Sequence, residues 1–147
     1  MLRILKSIIK KFLPKFFLKY YRLIYYFIIQ QKFKNLNNKE IFSIIYNKNM
    51  WGNSNSKKKF YSGFGSSNSK IIDGFILNVN KFINNLNYEP IVLDIGCGDF
   101  TVGKKIFLNS KRYIACDVVT ELIEYNKKKY KYSNLEFLDI DASDDIT

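Results

Sequence analysis

The chain has 147 residues, of which 47% are hydrophobic, so it can bury one substantial core and wholesale disorder is disfavoured. It lacks histidine and contains two cysteines, Cys97 and Cys116, so neither a metal site nor a disulfide framework is expected, and a reducing, cytoplasmic location fits best. Residues 1–59 carry 14 Lys and Arg against one acid, whereas residues 60–147 carry 10 against 12, so the net charge of +11 belongs to the N-terminal part.

Residues 1–31 have the pattern of a basic amphipathic helix, with apolar residues at three- and four-residue spacing and cations largely between them. Pro14 is expected to kink or split this helix after Leu13. No uncharged run approaches the roughly 20 residues that span a bilayer, and no signal-peptide cleavage site follows. The helix could pack on its own protein or a partner subunit, lie on anionic lipid at the membrane periphery, or contact nucleic acid. Nucleic acid is disfavoured, because the basic segment is separate from the candidate chemistry.

A short second helix is predicted from Lys39 to Tyr46, followed by a loop rich in Asn, Ser, Gly and Lys over residues 47–69. Helical periodicity returns over residues 70–86. One apolar stripe is expected there, formed by Ile71, Ile72, Phe75, Ile76, Val79, Phe82, Ile83 and Leu86.

From Ile91 onwards, short apolar runs alternate with helical segments. The runs predict strands at residues 91–95, 112–116 and 135–138, and helices are predicted at 101–109 and 120–130. Alternation at this pitch implies right-handed crossovers and a parallel sheet. The expected fold class is α/β, a partial Rossmann-like parallel sheet of about three strands with flanking helices, preceded by a basic helical extension.

The candidate site begins where the first strand runs into a Gly-x-Gly turn. Gly96 and Gly98 permit a tight turn and let a ligand approach the backbone with no Cβ in the way. Asp94, two positions before the first glycine, discriminates between ligands. A carboxylate there would repel the pyrophosphate of a dinucleotide, whereas S-adenosylmethionine has no phosphate and carries an ammonium and a sulfonium. The pattern therefore favours S-adenosylmethionine over NAD.

Acids also end the other two predicted strands. Asp117 can accept hydrogen bonds from a ribose diol, and Val118 beside it can pack on an adenine face. Asp141 can accept from the adenine amino group, with the backbone of Ala142 at the ring edge. Asp139 is the alternative if the third strand ends earlier. Three acids at three successive strand ends are hard to obtain by chance, so a common binding crevice is expected.

Residues 88–147 resemble the start of a class I S-adenosylmethionine-dependent methyltransferase. Three stretches carry this resemblance: LDIGCGDF is similar to motif I, YIACDVVTELIEYNKKKY to the second-strand region, and LEFLDIDAS to the third. The upstream stretch IYNKNMWGNSNSKKKFYSGFGSS resembles a subgroup with a WG…SGxGS signature. The resemblance implies a lid over the cofactor, formed by Tyr46, Trp51, Ser62, Gly63 and Gly65. It also places Asp94, Gly96 and Gly98 around the methionine moiety.

The chain departs from this family in two respects. Phe100 replaces the third glycine of motif I and should leave less room beside the methionine carboxylate, although Gly103 could relieve helix packing. The family's sheet has about seven strands, so the chain is expected to be a fragment that lacks the acceptor-binding half. Its third strand should then be an exposed edge, with one flank open to a partner subunit.

Together with the changes in composition, the resemblance divides the chain into three parts. These are a basic amphipathic helical extension (1–48), a Gly-, Ser- and Asn-rich loop or lid (49–69), and the N-terminal half of a methyltransferase domain (70–147). The expected function is methyl transfer from S-adenosylmethionine to an acceptor that the sequence does not identify, with no evident catalytic base. Two alternatives remain: a non-enzymatic basic membrane- or nucleic-acid-associated protein with a degenerate Rossmann lobe, and an NAD-dependent oxidoreductase.

Overall fold

The computed structural model describes residues 15–52 and 59–141. The chain divides into two compact units, Met1–Leu36 and Asn37–Thr147. The first unit contains helix α1 (Lys15–Phe33). The predicted break after Leu13 lies outside the described residues. Among the helices that the structure describes, none has the length and apolar character needed to cross a membrane.

Over residues 37–52 and 59–141, the second unit contains three α-helices and three strands, connected in part by two short 3-10 helices. In chain order its elements are α2 (Asn38–Asn47), α3 (Ser69–Asn84), β1 (Ile91–Ile95), the 3-10 helices Gly103–Lys105 and Phe107–Asn109, β2 (Arg112–Asp117), α4 (Thr120–Lys129) and β3 (Leu135–Asp139).

Helix α2 begins with a capping box. The Asn37 side chain accepts from the backbone N–H of Glu40 at 2.9 Å, and the Glu40 carboxylate accepts from the backbone N–H of Asn37 at 2.9 Å. The two bonds satisfy backbone donors that have no partner within the helix. The sequence assigned this helix to the N-terminal extension, but it lies in the second unit. The reason is its apolar face, since Phe42 and Tyr46 pack with Val119 and Leu122.

The strands form a parallel sheet in the order β1-β2-β3, with Asp94 opposite Ala115 and Asp117 opposite Asp139. The predicted α/β fold class is confirmed: a three-stranded parallel sheet with flanking helices, consistent with a partial Rossmann-like fold. The carboxyl ends of all three strands meet at one edge of this sheet. The Cys116 carbonyl accepts from both Gly96 N and Cys97 N at 2.8 Å, which ties the turn after β1 to the end of β2.

One sheet face carries the core and the other is largely uncovered. Tyr113, Ala115 and Phe137 are buried with residues of α3 and α4. On the opposite face Ile91, Leu93 and Ile95 are 63%, 47% and 52% exposed. The strand β3 is an edge, as expected, and β1 is the other edge. The exposed apolar residues of the sheet therefore concentrate at β1 rather than at the third strand.

The expected apolar stripe of α3 is only partly buried. Ile72, Ile76 and Ile83 join the core, whereas Phe75 and Phe82 are 57% and 68% exposed. The eight apolar residues cover more of the helix circumference than the side that faces the core. Only the residues on that side, spaced four and seven positions apart, are therefore buried.

The predicted helix over residues 101–109 is wrong, because two 3-10 helices occupy this segment. Phe100 precedes them with a left-handed backbone (φ 58°), and its side chain is fully buried. Its ring packs edge-on against the rings of Tyr113 and Phe137. Burying this ring turns the chain away from a regular helix, while Ile106 and Phe107 still reach the core.

Candidate functional site

A cavity of about 650 Å³ lies at the carboxyl edge of the sheet. Its size falls within the range of small-molecule binding sites. The cavity brings together six of the residues expected to hold a cofactor: Asp94, Gly96, Gly98, Asp117, Val118 and Asp141. Ala142, the seventh, lies outside the described residues. Three of the five expected lid residues line the same cavity: Tyr46, Trp51 and Ser62.

Asp94 is held in a fixed orientation by a residue of the neighbouring strand. The Tyr113 hydroxyl donates to Asp94 Oδ2 at 2.9 Å. Burial raises the pKa of Asp94, the Tyr113 hydrogen bond acts in the opposite direction, and the charge of Asp117 raises it further. The pKa of Tyr113 is also raised, chiefly by burial and then by Asp94, so the phenol remains a donor. A cationic ligand would relieve the repulsion between the two carboxylates.

The glycine turn uses two left-handed residues, Gly96 (φ 79°) and Gly98 (φ 57°). A Cβ on Gly96 would meet nothing within 4 Å, so the backbone there is open to a ligand. A Cβ on Gly98 would lie 2.4 Å from Ser62 Oγ and 3.3 Å from the Tyr46 hydroxyl. The first glycine is therefore required by backbone conformation alone, and the second also by close packing.

Asp117 holds the glycine turn through a hydrogen bond to its backbone. It is 8% exposed, and its carboxylate accepts from Gly98 N at 3.0 Å and from Val119 N at 3.1 Å. Burial raises its pKa, while these backbone donors favour the charged form. Besides the ligand-binding role expected of it, Asp117 joins β1, β2 and α4 through these two hydrogen bonds. Each carboxylate oxygen can accept a second bond, so capacity for a ligand remains.

The two acids that follow β3 have different partners. Asp139 ends the strand and accepts from Lys39 Nζ at 3.1 Å and from the Thr120 hydroxyl. Asp141 lines the cavity, and its Oδ1 accepts from Asn38 Nδ2 at 3.1 Å. Asp141 is thus the acid at the crevice, and Asp139 joins α2 and α4 to the sheet.

The expected lid lies directly on the glycine turn. Ser62 Oγ is 2.9 Å from the Tyr46 hydroxyl and accepts from Asp99 N at 2.8 Å. The Trp51 ring packs edge-on against Tyr46, with 5.0 Å between ring centroids. Gly63 is buried in the turn behind Trp51 with φ 94°, whereas Gly65 is exposed with no neighbour within 4 Å of a Cβ. Neither of these glycines is a lining residue.

Phe100 does not narrow the cavity as expected, because its ring points into the core. A Cβ on Gly103 would lie 2.3 Å from Phe100 Cε2 and 3.0 Å from Asp94 Oδ2. The ring thus occupies space that only a glycine at position 103 leaves open. Gly103 was expected to relieve packing of a helix, but no α-helix forms there, and it instead leaves room for the Phe100 ring.

Two further polar residues lie at the turn, and neither was predicted from the sequence. Asp99 is 6% exposed and lines the cavity, and its Oδ1 accepts from Thr101 N at 3.1 Å. Asn126 is fully buried on α4, and its Nδ2 donates to the Gly98 carbonyl at 2.8 Å. Its Oδ1 has no hydrogen-bond partner among the described residues. The position of Asn126, four residues after Leu122 and three after Ile123, was a usable signal for a buried amide.

A search of protein-family models finds no match to this chain, and a search of curated proteins finds none either. A solved structure that the chain resembles is the crystal structure of a dimethyladenosine transferase from Plasmodium falciparum, with 29% sequence identity and a TM-score of 0.40. The match covers 51% of this chain and 26% of the transferase chain. The chain therefore spans about a quarter of the length of the structure that it matches.

Proposed function

We propose that this chain binds S-adenosylmethionine in the cavity at the carboxyl edge of the sheet, as part of a methyltransferase. One observation carries the proposal: Asp94, Asp117 and Asp141, from the ends of three adjacent parallel strands, line one cavity. Carboxylates at neighbouring strand ends form a crevice suited to a cationic nucleoside. The open backbone at Gly96 supports close approach of such a ligand.

The charge of the site distinguishes this cofactor from a dinucleotide. Phosphate groups are commonly bound by free N–H groups at an α-helix N-terminus, where the helix dipole favours negative charge. In the described chain the glycine turn leads instead into the 3-10 helix Gly103–Lys105. Asp94, Asp99 and Asp117 add negative charge around the turn. The electrostatics therefore disfavour an NAD-dependent oxidoreductase and favour a ligand that is positive and lacks phosphate.

Bound at this site, the cofactor would supply an already activated methyl group, so the protein need mainly provide proximity and orientation. The chain's residues fit that role. Tyr113 orients Asp94, and Asp117 and Asn126 hold Gly98 on its two polar sides. Ser62 and Tyr46 lie over the turn, and Ser62 Oγ accepts from the Asp99 N–H there. The acceptor is not specified by the residues of this cavity.

Titration calorimetry with S-adenosylmethionine, S-adenosylhomocysteine and NAD tests the proposal. We expect both sulfur nucleosides to bind and NAD not to bind. Asp94→Asn should weaken S-adenosylmethionine binding by roughly tenfold or more, because a charge-assisted contact is lost. Glu124→Gln, which removes an exposed carboxylate on α4, is the matched control and should leave affinity unchanged. Preferential NAD binding, or no loss in the folded Asp94→Asn variant, would overturn the assignment.

A further inference from the structure

Helix α1 is a cationic segment with a broad exposed apolar surface. Residues 1–34 contain nine Lys and Arg and no Asp or Glu, and the first acid in the chain, Glu40, belongs to the capping box of α2. Several large apolar side chains of α1 are more than half exposed: Leu23 57%, Ile24 60%, Tyr26 62%, Phe27 61% and Ile28 58%. Such a surface marks an interaction site.

The spacing of these residues separates two faces of α1. Lys15, Lys19 and Arg22 follow one another at four- and three-residue intervals, so their positions share one face of the helix. Ile24 follows Arg22 by two residues, about 200° around the helix axis. Phe27 and Ile28, three and four residues after Ile24, extend this second face. Lys15, Lys19 and Arg22 thus share one side of the helix, and Ile24, Phe27 and Ile28 share the other. Tyr26, four residues after Arg22, lies on the side of these cations, and Lys32, four residues after Ile28, lies at the C-terminal end of the apolar side.

The charge of this segment identifies the kind of surface that it fits. Since the helix contains no acid, its cations form no ion pair within it, and a surface that carries negative charge close to an apolar phase would match both its cations and its exposed apolar side chains. A membrane with anionic headgroups supplies both at one boundary. A nucleic acid would match the lysines and leave the apolar face in water. A purely apolar protein groove would cover the second face and leave the cations unmatched.

We propose that α1 lies in the plane of an anionic membrane interface, with Ile24, Phe27 and Ile28 in the acyl boundary and the basic face at the headgroups. This surface is independent of the cavity and of the function proposed for it. Neither face suffices alone, because the apolar face supplies insertion and the lysines supply preference for anionic lipid.

Vesicle flotation of the full chain tests the proposal, using phosphatidylcholine alone and phosphatidylcholine mixed with phosphatidylglycerol. We expect at least tenfold stronger binding to the mixed vesicles at low salt, and weaker binding at high salt because the charges are then screened. The pair Ile24→Asp and Phe27→Asp should abolish binding to both. The pair Lys15→Glu and Lys19→Glu should abolish the anionic preference. Gln30→Lys, an exposed position towards the basic face, is the matched control and should retain binding.

Depth of insertion gives a second readout. Cys97 and Cys116 are buried, so a cysteine introduced at position 27 or 30 can be labelled selectively with an environment-sensitive dye. A dye at Phe27→Cys should shift to shorter wavelength on vesicles, and one at Gln30→Cys should not. The proposal would be overturned by equal dye shifts at the two positions or by equal binding to both vesicle types. It would also be overturned if the chain did not bind lipid but self-associated, and Ile24→Asp dispersed the associated form. An unchanged urea denaturation midpoint of the variants would show that the second unit remains folded.

Discussion

Ser62 and Gly98 are separated by 36 residues in the chain and lie in contact in the folded protein, so closely that a Cβ on Gly98 would come within 2.4 Å of Ser62 Oγ. The same Ser62 Oγ accepts a hydrogen bond from Asp99 N at 2.8 Å. The loop that precedes α3 is thereby attached to the turn after β1. Substitutions at Ser62 or Gly98 can therefore test whether the expected lid packs on the glycine turn.

Gly98→Ala should destabilise the protein by at least about 2 kcal/mol, since it combines a left-handed backbone with a clash against Ser62. Chemical denaturation measures the loss, and calorimetry should show weaker cofactor binding. Gly74→Ala is the matched control: Gly74 lies within α3 with nothing within 4 Å of a Cβ. That substitution should stabilise the helix by about 1 kcal/mol. Equal effects at the two positions would contradict the close packing of Ser62.

Tyr46→Phe should lose the hydrogen bond to Ser62 and keep the ring contacts with Trp51 and Phe60. We expect a loss of about 1 kcal/mol in unfolding free energy, and a larger loss for Ser62→Ala, which also removes the acceptor of the Asp99 N–H. The double variant should lose clearly less than the sum, because both changes remove the same bond. Tyr61→Phe is the control, since the Tyr61 bond to Ser67 is exposed and should contribute less than about 0.5 kcal/mol. Strict additivity at Tyr46 and Ser62 would rule out their coupling.

Asn126→Leu should destabilise the protein by about 1–3 kcal/mol, because the Gly98 carbonyl would lose its buried donor. Asn126→Asp should cost more, since it places a buried carboxylate beside a carbonyl oxygen. Urea denaturation of both variants provides the measurement. Asn80→Leu removes an exposed amide that donates to the Lys105 carbonyl, and it should change stability by much less. If Asn126→Leu were neutral, the amide would not support the turn.

The strand-end acids were predictable because their placement depends on local pattern. Apolar runs fix the strands, parallel connections bring their carboxyl ends to one edge, and Asp94 and Asp117 follow from position alone. The same reasoning favoured Asp141 over Asp139, because strand length decides which of the two acids lies beyond the last sheet residue. Asp139 ends β3, and Asp141 lines the cavity.

Contacts between distant segments were not predictable in the same way. Asp99 meets Ser62 across 37 positions, and Asn126 meets Gly98 across 28. Hydrophobic periodicity carries no information about such pairs. The segment after Phe100 was assigned to a helix for a related reason: its spacing is helical, but burial of the Phe100 ring among Tyr113, Tyr130 and Phe137 overrides local propensity.

The raised pKa of Asp94 predicts opposite effects of pH on stability and on cofactor binding. Burial raises this pKa above its usual 3.8, so the folded protein retains a proton that the unfolded chain releases as pH increases past that value. The charged carboxylate therefore lowers the free energy of unfolding, by an amount that grows between the unfolded and the raised folded pKa. Asp94→Asn should be more stable than the wild type at neutral pH, provided that the amide oxygen still accepts from Tyr113, and the difference should shrink as pH falls.

Binding of S-adenosylmethionine should follow the reverse order. Its affinity for the wild type should fall as Asp94 becomes protonated, whereas the already weak affinity of Asp94→Asn should depend less on pH. Thermal unfolding and calorimetry across the acidic range measure both quantities on the same samples. Glu124→Gln should reproduce the wild-type pH dependence, since Glu124 is an exposed partner of Lys127. If the free energy of unfolding of the wild type rose on acidification while its affinity for S-adenosylmethionine stayed constant, the charge of Asp94 would not contribute to binding.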